Sequence, residues 1–270
     1  KATDWTTSMR VYAVSDLHVD YPENLQWILS LSETSYQRDV LILAGDVSHE
    51  LNTLRRVLES LRSKFMDVFF VPGNHEFWID EDELDCSLEK CHTKEALCKE
   101  LGILRDVHHY GELSIVPLLG LYDFSFGEPD RHLRRAWRDF RSCLWPVHLD
   151  NAAALNDFFL NKNEPLLSTS NTTVISFSHF LPGIDVMPSR IPVQRRRIYP
   201  ILGSDGLGEQ VRRLNPDIHV YGHSHVNQSI ELDNIRFVNN AFAHPSENRI
   251  ARKQLSCVWE LTELEYVAAR

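Results

Sequence analysis

Five short apolar runs in this 270-residue chain end in side chains able to hold a metal ion. Residues 11–14 lead to Asp16 and His18, residues 40–44 to Asp46, and residues 68–71 to Asn74 and His75. Residues 173–177 lead to His179, and residues 218–221 to His223 and His225. Carboxylate, imidazole and amide groups brought to one place are costly to bury unless cations sit among them. Seven candidates, Asp16, His18, Asp46, Asn74, His179, His223 and His225, exceed what one ion uses and suit two ions sharing a carboxylate. Oxygen and nitrogen donors without thiolate favour first-row ions such as manganese, iron, cobalt, nickel or zinc over calcium or magnesium. Two such ions about 3.5–4 Å apart clamp the attacking and leaving oxygens of a phosphoryl displacement.

The elements that must position these groups follow from the apolar pattern. Three apolar runs alternate with two helical stretches, one after Pro22 and one marked by Leu51, Leu54, Leu58 and Leu61. A strand–helix–strand–helix–strand order at this spacing predicts a βαβαβ unit, and runs with little alternation suit parallel strands covered on both faces. The C-terminal ends of such strands lie on one sheet edge, where open α/β folds bind ligands. Further on, the pattern predicts a helix over residues 80–101 and a strand pair or long strand over 113–122, interrupted by Pro117. Residues 130–162 read as a basic helix, a Trp145-Pro146 break and a second helix. Residues 163–172 read as a polar loop and 206–214 as a helix. Three short strands in 227–261, with a turn at Asp233-Asn234, read as a meander.

Composition limits the function classes. Hydrophobic residues at 43% and charged residues at 24% describe an ordinary globular chain. No apolar run approaches the roughly 18 residues of a membrane span, and no secretory signal pattern is visible. The net charge of −10 opposes extended binding to a nucleic-acid backbone. Five cysteines, with no CxxC, read as reduced thiols of a cytoplasmic protein. Residues 1–8 read as a leader or remnant, and 9–270 as one domain.

Taken in order, Asp16-x-His18, Gly45-Asp46, Gly73-Asn74-His75-Glu76, His179 and Gly222-His223-x-His225 resemble the motif set of the calcineurin-like metallophosphoesterases. The opening from Ser15 to Tyr21 is similar to that of a plant and bacterial branch of the family. The resemblance spans residues 11–225. It implies a four-layer α/β/β/α sandwich, two mixed β-sheets flanked by helices. It implies two divalent ions, manganese, iron or zinc foremost. Asp16, His18 and His225 would hold the first ion, Asn74, His179 and His223 the second, and Asp46 would bridge them with a nucleophilic hydroxide. His75 would assist the leaving oxygen. The implied activity is hydrolysis of a small phosphate ester, monoester or diester. A nuclease of the same family, or a metal-binding scaffold without catalysis, are the alternatives. In many relatives an acidic residue three positions after the bridging Asp orients the catalytic His. Here that position is His49, so either Glu50 substitutes or His75 is held differently.

Other residues have a plainer reading. His49, His92, His108, His109, His132, His148 and His219 read as surface or packing residues, and His244 as a residue that could border the site. Arg131, Arg134, Arg135, Arg138 and Arg141 read as a solvated helix face laced to Glu128, Asp130 and Asp139, with substrate contact as the rival. The loop from Arg190 to Tyr199 follows His179 and should overhang the site. Tyr122 to Phe126 reads as an aromatic wall or as core.

Overall fold

The computed structural model describes residues 9–79, 84–168 and 171–261. The leader reading of residues 1–8 lies outside them, as does the start of the expected 80–101 helix. The first half builds the predicted βαβαβ unit. Strand β1 (Arg10–Val14), helix α1 (Pro22–Leu29), strand β2 (Val40–Ala44), helix α2 (Leu51–Lys64) and strand β3 (Asp67–Val71) succeed one another. The three strands run parallel, with Ala13 opposite Ile42 and Ile42 opposite Phe69. Pro22 opens α1, where its missing N–H costs nothing. The Glu50 carboxylate accepts from Asn52 N and Thr53 N and so caps α2.

The second half adds helix α3 (Ser87–Leu101), strands β4 (His108–Tyr110) and β5 (Leu113–Pro117), and short helices α4 (Arg131–Ala136) and α5 (Asp139–Ser142). Helix α6 (Ala152–Asn163), strand β6 (Thr173–Phe177), helix α7 (Asp205–Leu214) and strands β7 (Ile218–Tyr221), β8 (Gln228–Leu232), β9 (Ile235–Asn239) and β10 (Ser256–Glu260) complete it. One sheet has the order β10-β1-β2-β3, the other β4-β5-β6-β7-β9-β8. Each carries a parallel core, the first with one antiparallel edge at β10 and the second with two at β4 and β8, so both are mixed.

Period-two alternation builds the layers. Val40, Ile42 and Ala44 of β2 face the other sheet, meeting a core that includes Ile115, Ile175, Phe177 and Val220. Leu41 and Leu43 face outward, onto Leu54, Leu58 and Leu61 of α2 and Leu97 of α3. On the far side Val174 and Phe237 pack with Phe159 of α6 and Val211 of α7. Helix, sheet, sheet, helix is the four-layer sandwich expected.

Three local expectations change. The tail is not a meander: β8 and β9 form a hairpin around Asp233-Asn234, both at positive φ, but β10 pairs antiparallel with β1 in the other sheet. The bare edge of β1 supplies its ladder, and Val258 joins the core between the sheets. The 113–122 strand stops at Pro117, and its antiparallel partner is the preceding β4. The single basic helix is two short ones, parted at Trp137-Arg138.

Candidate metal centre

Every predicted ligand lies just beyond a parallel strand, and the two sheets bring those strand ends together. Asp16 N donates to Gly45 O (2.9 Å), His18 N to Asp46 O (3.0 Å) and Gly222 N to His179 O (2.9 Å). His223 N donates to both oxygens of Asp16 (3.1 and 3.0 Å), which ties the second sheet to the first. Asp16, His18, Asp46, His223 and His225 all sit at φ between 42° and 65°. Non-glycine residues rarely adopt that left-handed region, and such strain gathers at functional sites. Close approach explains two glycines: a Cβ on Gly73 would lie 2.7 Å from His179 Nε2, and one on Gly222 would lie 2.8 Å from Asp16 Oδ2.

The side chains converge. His18 Nε2 is 3.0 Å from His225 Nε2, which is 3.3 Å from Asp16 Oδ1. His179 Nε2 is 3.1 Å from His223 Nδ1 and 3.5 Å from Asp46 Oδ2. Ligand atoms of His18, Asp46 and His75 lie within 4.8 Å of one another, which joins the two groups. The same criterion admits His244 beside His18 and His225.

The hydrogen bonds on the far side of each ring decide which nitrogen is bare. His179 Nδ1 lies 2.8 Å from Ala44 O, and His223 Nε2 lies 2.9 Å from Ile201 O. A carbonyl only accepts, so both nitrogens must donate. That leaves the lone pairs of His179 Nε2 and His223 Nδ1 facing each other. His225 Nδ1 donates likewise to Glu247 Oε2 at 2.7 Å, turning Nε2 toward His18 and Asp16. Asn74 Nδ2 donates to Asp139 Oδ1 (2.9 Å), while Asn74 Oδ1 is buried with no hydrogen-bond partner among the described residues. Facing lone pairs and an orphaned buried oxygen are what divalent cations would satisfy, so the residues fit the metal ions that the resemblance implies.

Charge agrees. Asp16, Asp46 and Glu76 are all buried. Burial, with Glu76 and Asp16 nearby, pushes the Asp46 carboxyl well above its usual range. Burial would raise Asp16 too, but the imidazoles of His225 and His179 outweigh it and hold it at about 2. His225 is the counterpart: burial works against its charge, yet Asp16 and Glu247 raise it to about 9. Burial lowers His18, His75, His179 and His223, the last to about 3.

Three supporting residues were given no part at the centre by the sequence reading, and Asp139, read there as lacing the arginine face, is instead buried against Asn74. Glu76 accepts from the backbone N–H groups of Asp46, Val47, Ser48 and Gly73 at 2.6–3.1 Å, fastening the Asp46 loop to the Asn74 turn. Its place after Asn74-His75 was the only signal. Asp139 accepts from Asn74 Nδ2, Trp78 Nε1, Tyr122 OH and Trp137 Nε1, and Glu247 from His225 and His244 N. Asp139, which opens α5, and Glu247, between β9 and β10, are distant in sequence and have no motif around them.

His75 begins a 3-10 turn over His75–Phe77, with its ring 3.6 Å from that of Trp78 and Nε2 3.7 Å from Asp46 Oδ2. Glu50 is occupied in capping α2, so it does not orient His75; the His75 ring packs against Trp78, and His75 N donates to Asp46 Oδ1 at 3.0 Å. His49 and His244, read as bland or bordering, both line the cleft above the site, as do Trp137, Arg138 and Ile198. That cleft has a volume of about 510 Å³. His219 keeps its packing reading, buried between the hydroxyls of Ser176 and Ser178. Tyr122 and Phe124 instead line a neighbouring cavity of about 480 Å³ with Phe140 and Trp145.

A two-sheet sandwich with such a centre at its strand ends defines a metallophosphoesterase. The chain belongs to the calcineurin-like phosphoesterase family, whose model matches residues 9–227. It is a phosphoric ester hydrolase of metal-dependent type. The acyl-carrier-protein phosphodiesterase PptH of Mycobacterium tuberculosis is 27% identical over 264 residues, covering 88% of this chain and 79% of that one. The crystal structure of phosphopantetheinyl hydrolase (PptH) from the same organism superposes with a TM-score of 0.74 at 24% identity, covering 90% of this chain and 92% of that one, and shares the fold. Among the described residues no helix is long and apolar enough to cross a membrane.

Proposed function

We propose that the chain is a dinuclear phosphodiesterase in which Asp16, His18 and His225 hold one divalent cation, Asn74, His179 and His223 the other, and Asp46 both. The facing lone pairs of His179 Nε2 and His223 Nδ1, with the orphaned Asn74 Oδ1, carry this reading. When bound, the cations, manganese, iron or zinc, supply positive charge against the charge that builds on the phosphoryl oxygens. Asp16 and Asp46 balance that charge, and Glu76 keeps the Asp46 loop in register with Asn74. His75, at the cleft wall and 19% exposed, stabilises the departing oxygen by donating the ring N–H that its neutral imidazole, favoured by burial, still carries. Trp78 packs against its ring at an interplanar angle of 32° and restricts its orientation. Likeness to PptH supports a phosphodiester substrate, a phosphopantetheinyl group attached to a carrier protein. Five free thiols support a reducing, cytoplasmic location.

The test uses metal-stripped protein reloaded with Mn²⁺ and paired chromogenic monoester and diester substrates. Restored turnover, faster on the diester, is the expected result. Asp46→Asn should lose bound metal and turnover together. His75→Ala should keep its metal and slow by about 10²–10⁴-fold. Loss of metal in His75→Ala would instead make His75 a ligand. Metal uptake with no turnover on either substrate would favour the scaffold alternative.

A further inference from the structure

Two segments frame one wall of the cleft. Residues 126–142 carry five arginines between Arg131 and Arg141, and residues 188–200 carry four between Arg190 and Arg197. Their only carboxylates are Glu128, Asp130 and Asp139, and Asp139 is buried beneath Asn74. An Arg197–Asp130 ion pair at 2.8 Å links the segments. Both reach the cleft, the first through Trp137 and Arg138, the second through Ile198. A chain of net charge −10 thus sets a positive rim beside its catalytic cleft.

The expected lacing of this face to its own carboxylates is slight. Arg134 lies 3.7 Å from Glu128, and Arg197 meets Asp130. Arg131, Arg135, Arg190 and Arg195 are exposed and form no ion pair among the described residues. The same segments and the turn beyond them expose Phe140, Leu144, Val147, Val193 and Ile198, with Val147 87% and Val193 73% exposed. Of the large apolar side chains exposed in the described residues, only Tyr21 and Ile250 lie elsewhere, and Tyr21 also lines the cleft. Phe140 and Leu144 line the neighbouring cavity with Arg134, Val193 lies with Arg196 and Arg197, and Ile198 reaches the cleft. Exposed apolar side chains set among arginines mark an interaction site, and guanidinium forks match carboxylates.

We propose, resting on the hydrolase reading above, that this rim docks an acidic protein surface with an apolar edge, the carrier that presents the scissile diester to the cleft. A nucleic acid fits less well. Aliphatic side chains such as Val147 and Val193 offer neither stacking nor hydrogen bonds, and the acidic remainder of the chain repels an extended polyanion.

The experiment compares two substrates, a phosphopantetheinylated acyl carrier protein and bis(p-nitrophenyl) phosphate. The variant is Arg131→Glu/Arg135→Glu/Arg195→Glu; none of these residues lines the cleft. The expected result is a rise of about tenfold or more in KM for the carrier, with the small diester within about twofold. Wild-type KM for the carrier, but not for the small diester, should also rise with salt. An unchanged carrier KM, or an equal loss on both substrates, would overturn the proposal. So would a single-stranded oligonucleotide that inhibits at lower concentration than the carrier binds. Wild type that cleaves the small diester but neither cleaves nor binds the carrier sinks the docking surface alone. If it cleaves neither substrate the hydrolase reading fails, and direct binding of carrier to wild type and variant still decides the rim.

Discussion

At the scale of single residues, the centre depends on side chains that aim other side chains. Asp139 is the clearest case. Its two oxygens take four donors, and one of them, Asn74 Nδ2, fixes which way the Asn74 carbonyl points. Asp139→Asn puts an NH₂ where two donors now converge. It should weaken metal retention by about 10–100-fold while the fold persists, as read by chelator competition on the variant. Metal retention equal to wild type would mean that packing alone aims Asn74. Glu76 works on the backbone instead. Glu76→Gln leaves one oxygen for four N–H groups, and should cost about 2–4 kcal/mol in urea unfolding. The expected loss holds only if those N–H groups stay buried; a midpoint like that of wild type would show that water reaches them.

At the scale of elements, His219 on β7 reports how dry the second sheet is. Burial lowers its pKa to about 3, from 6.5 in the unfolded chain. Below pH 6.5 the unfolded chain takes up a proton that the folded one refuses. Stability is therefore fully present above pH 6.5 and falls as pH drops toward 3. From pH 6 to pH 4 this one group should remove about 2 kcal/mol. His219→Gln keeps a partner for Ser176 and Ser178 and should flatten that part of the slope, read as urea midpoints across the range. Parallel slopes would place His219 in contact with water. The elements also show what the sequence could reveal. The βαβαβ unit was legible because buried parallel strands read as apolar runs and α2 has a leucine stripe. The candidate ligands were legible because each follows such a run within a few residues. β10 was not, because its partner β1 lies some 250 positions away and nothing local records a pairing across the chain. The split at Trp137-Arg138 was hidden for a similar reason: Trp137 leaves the helix to donate to Asp139, a tertiary bond that overrides helical spacing. Asp139 and Glu247 act only on residues distant in sequence, so no motif marks them.

At the scale of the whole molecule, the centre is where two sheets are joined. Asp16, His18, Asp46 and Asn74 follow strands of one sheet, and His179, His223 and His225 follow strands of the other. The core between the sheets is apolar, but at their C-terminal edge it gives way to buried Asp16 and Asp46, whose mutual repulsion opposes closure. Cations held by residues from both sheets would turn that repulsion into a clamp. Loading at about 100 times Kd should stabilise the fold by about 2.7 kcal/mol per site, a rise of about 5–10 °C in Tm for a chain of this size. Asp46→Asn should show a smaller rise or none, because it removes the charge shared by both groups. Hydrogen exchange can tell a clamp from a local effect. If both sheets contribute ligands, loading should slow exchange at the ends of β1 and β2 and of β6 and β7 together. Each proposed cation draws ligands from both sheets, Asp16 and His18 with His225, and Asn74 with His179 and His223, so protection confined to one sheet would overturn that ligand assignment.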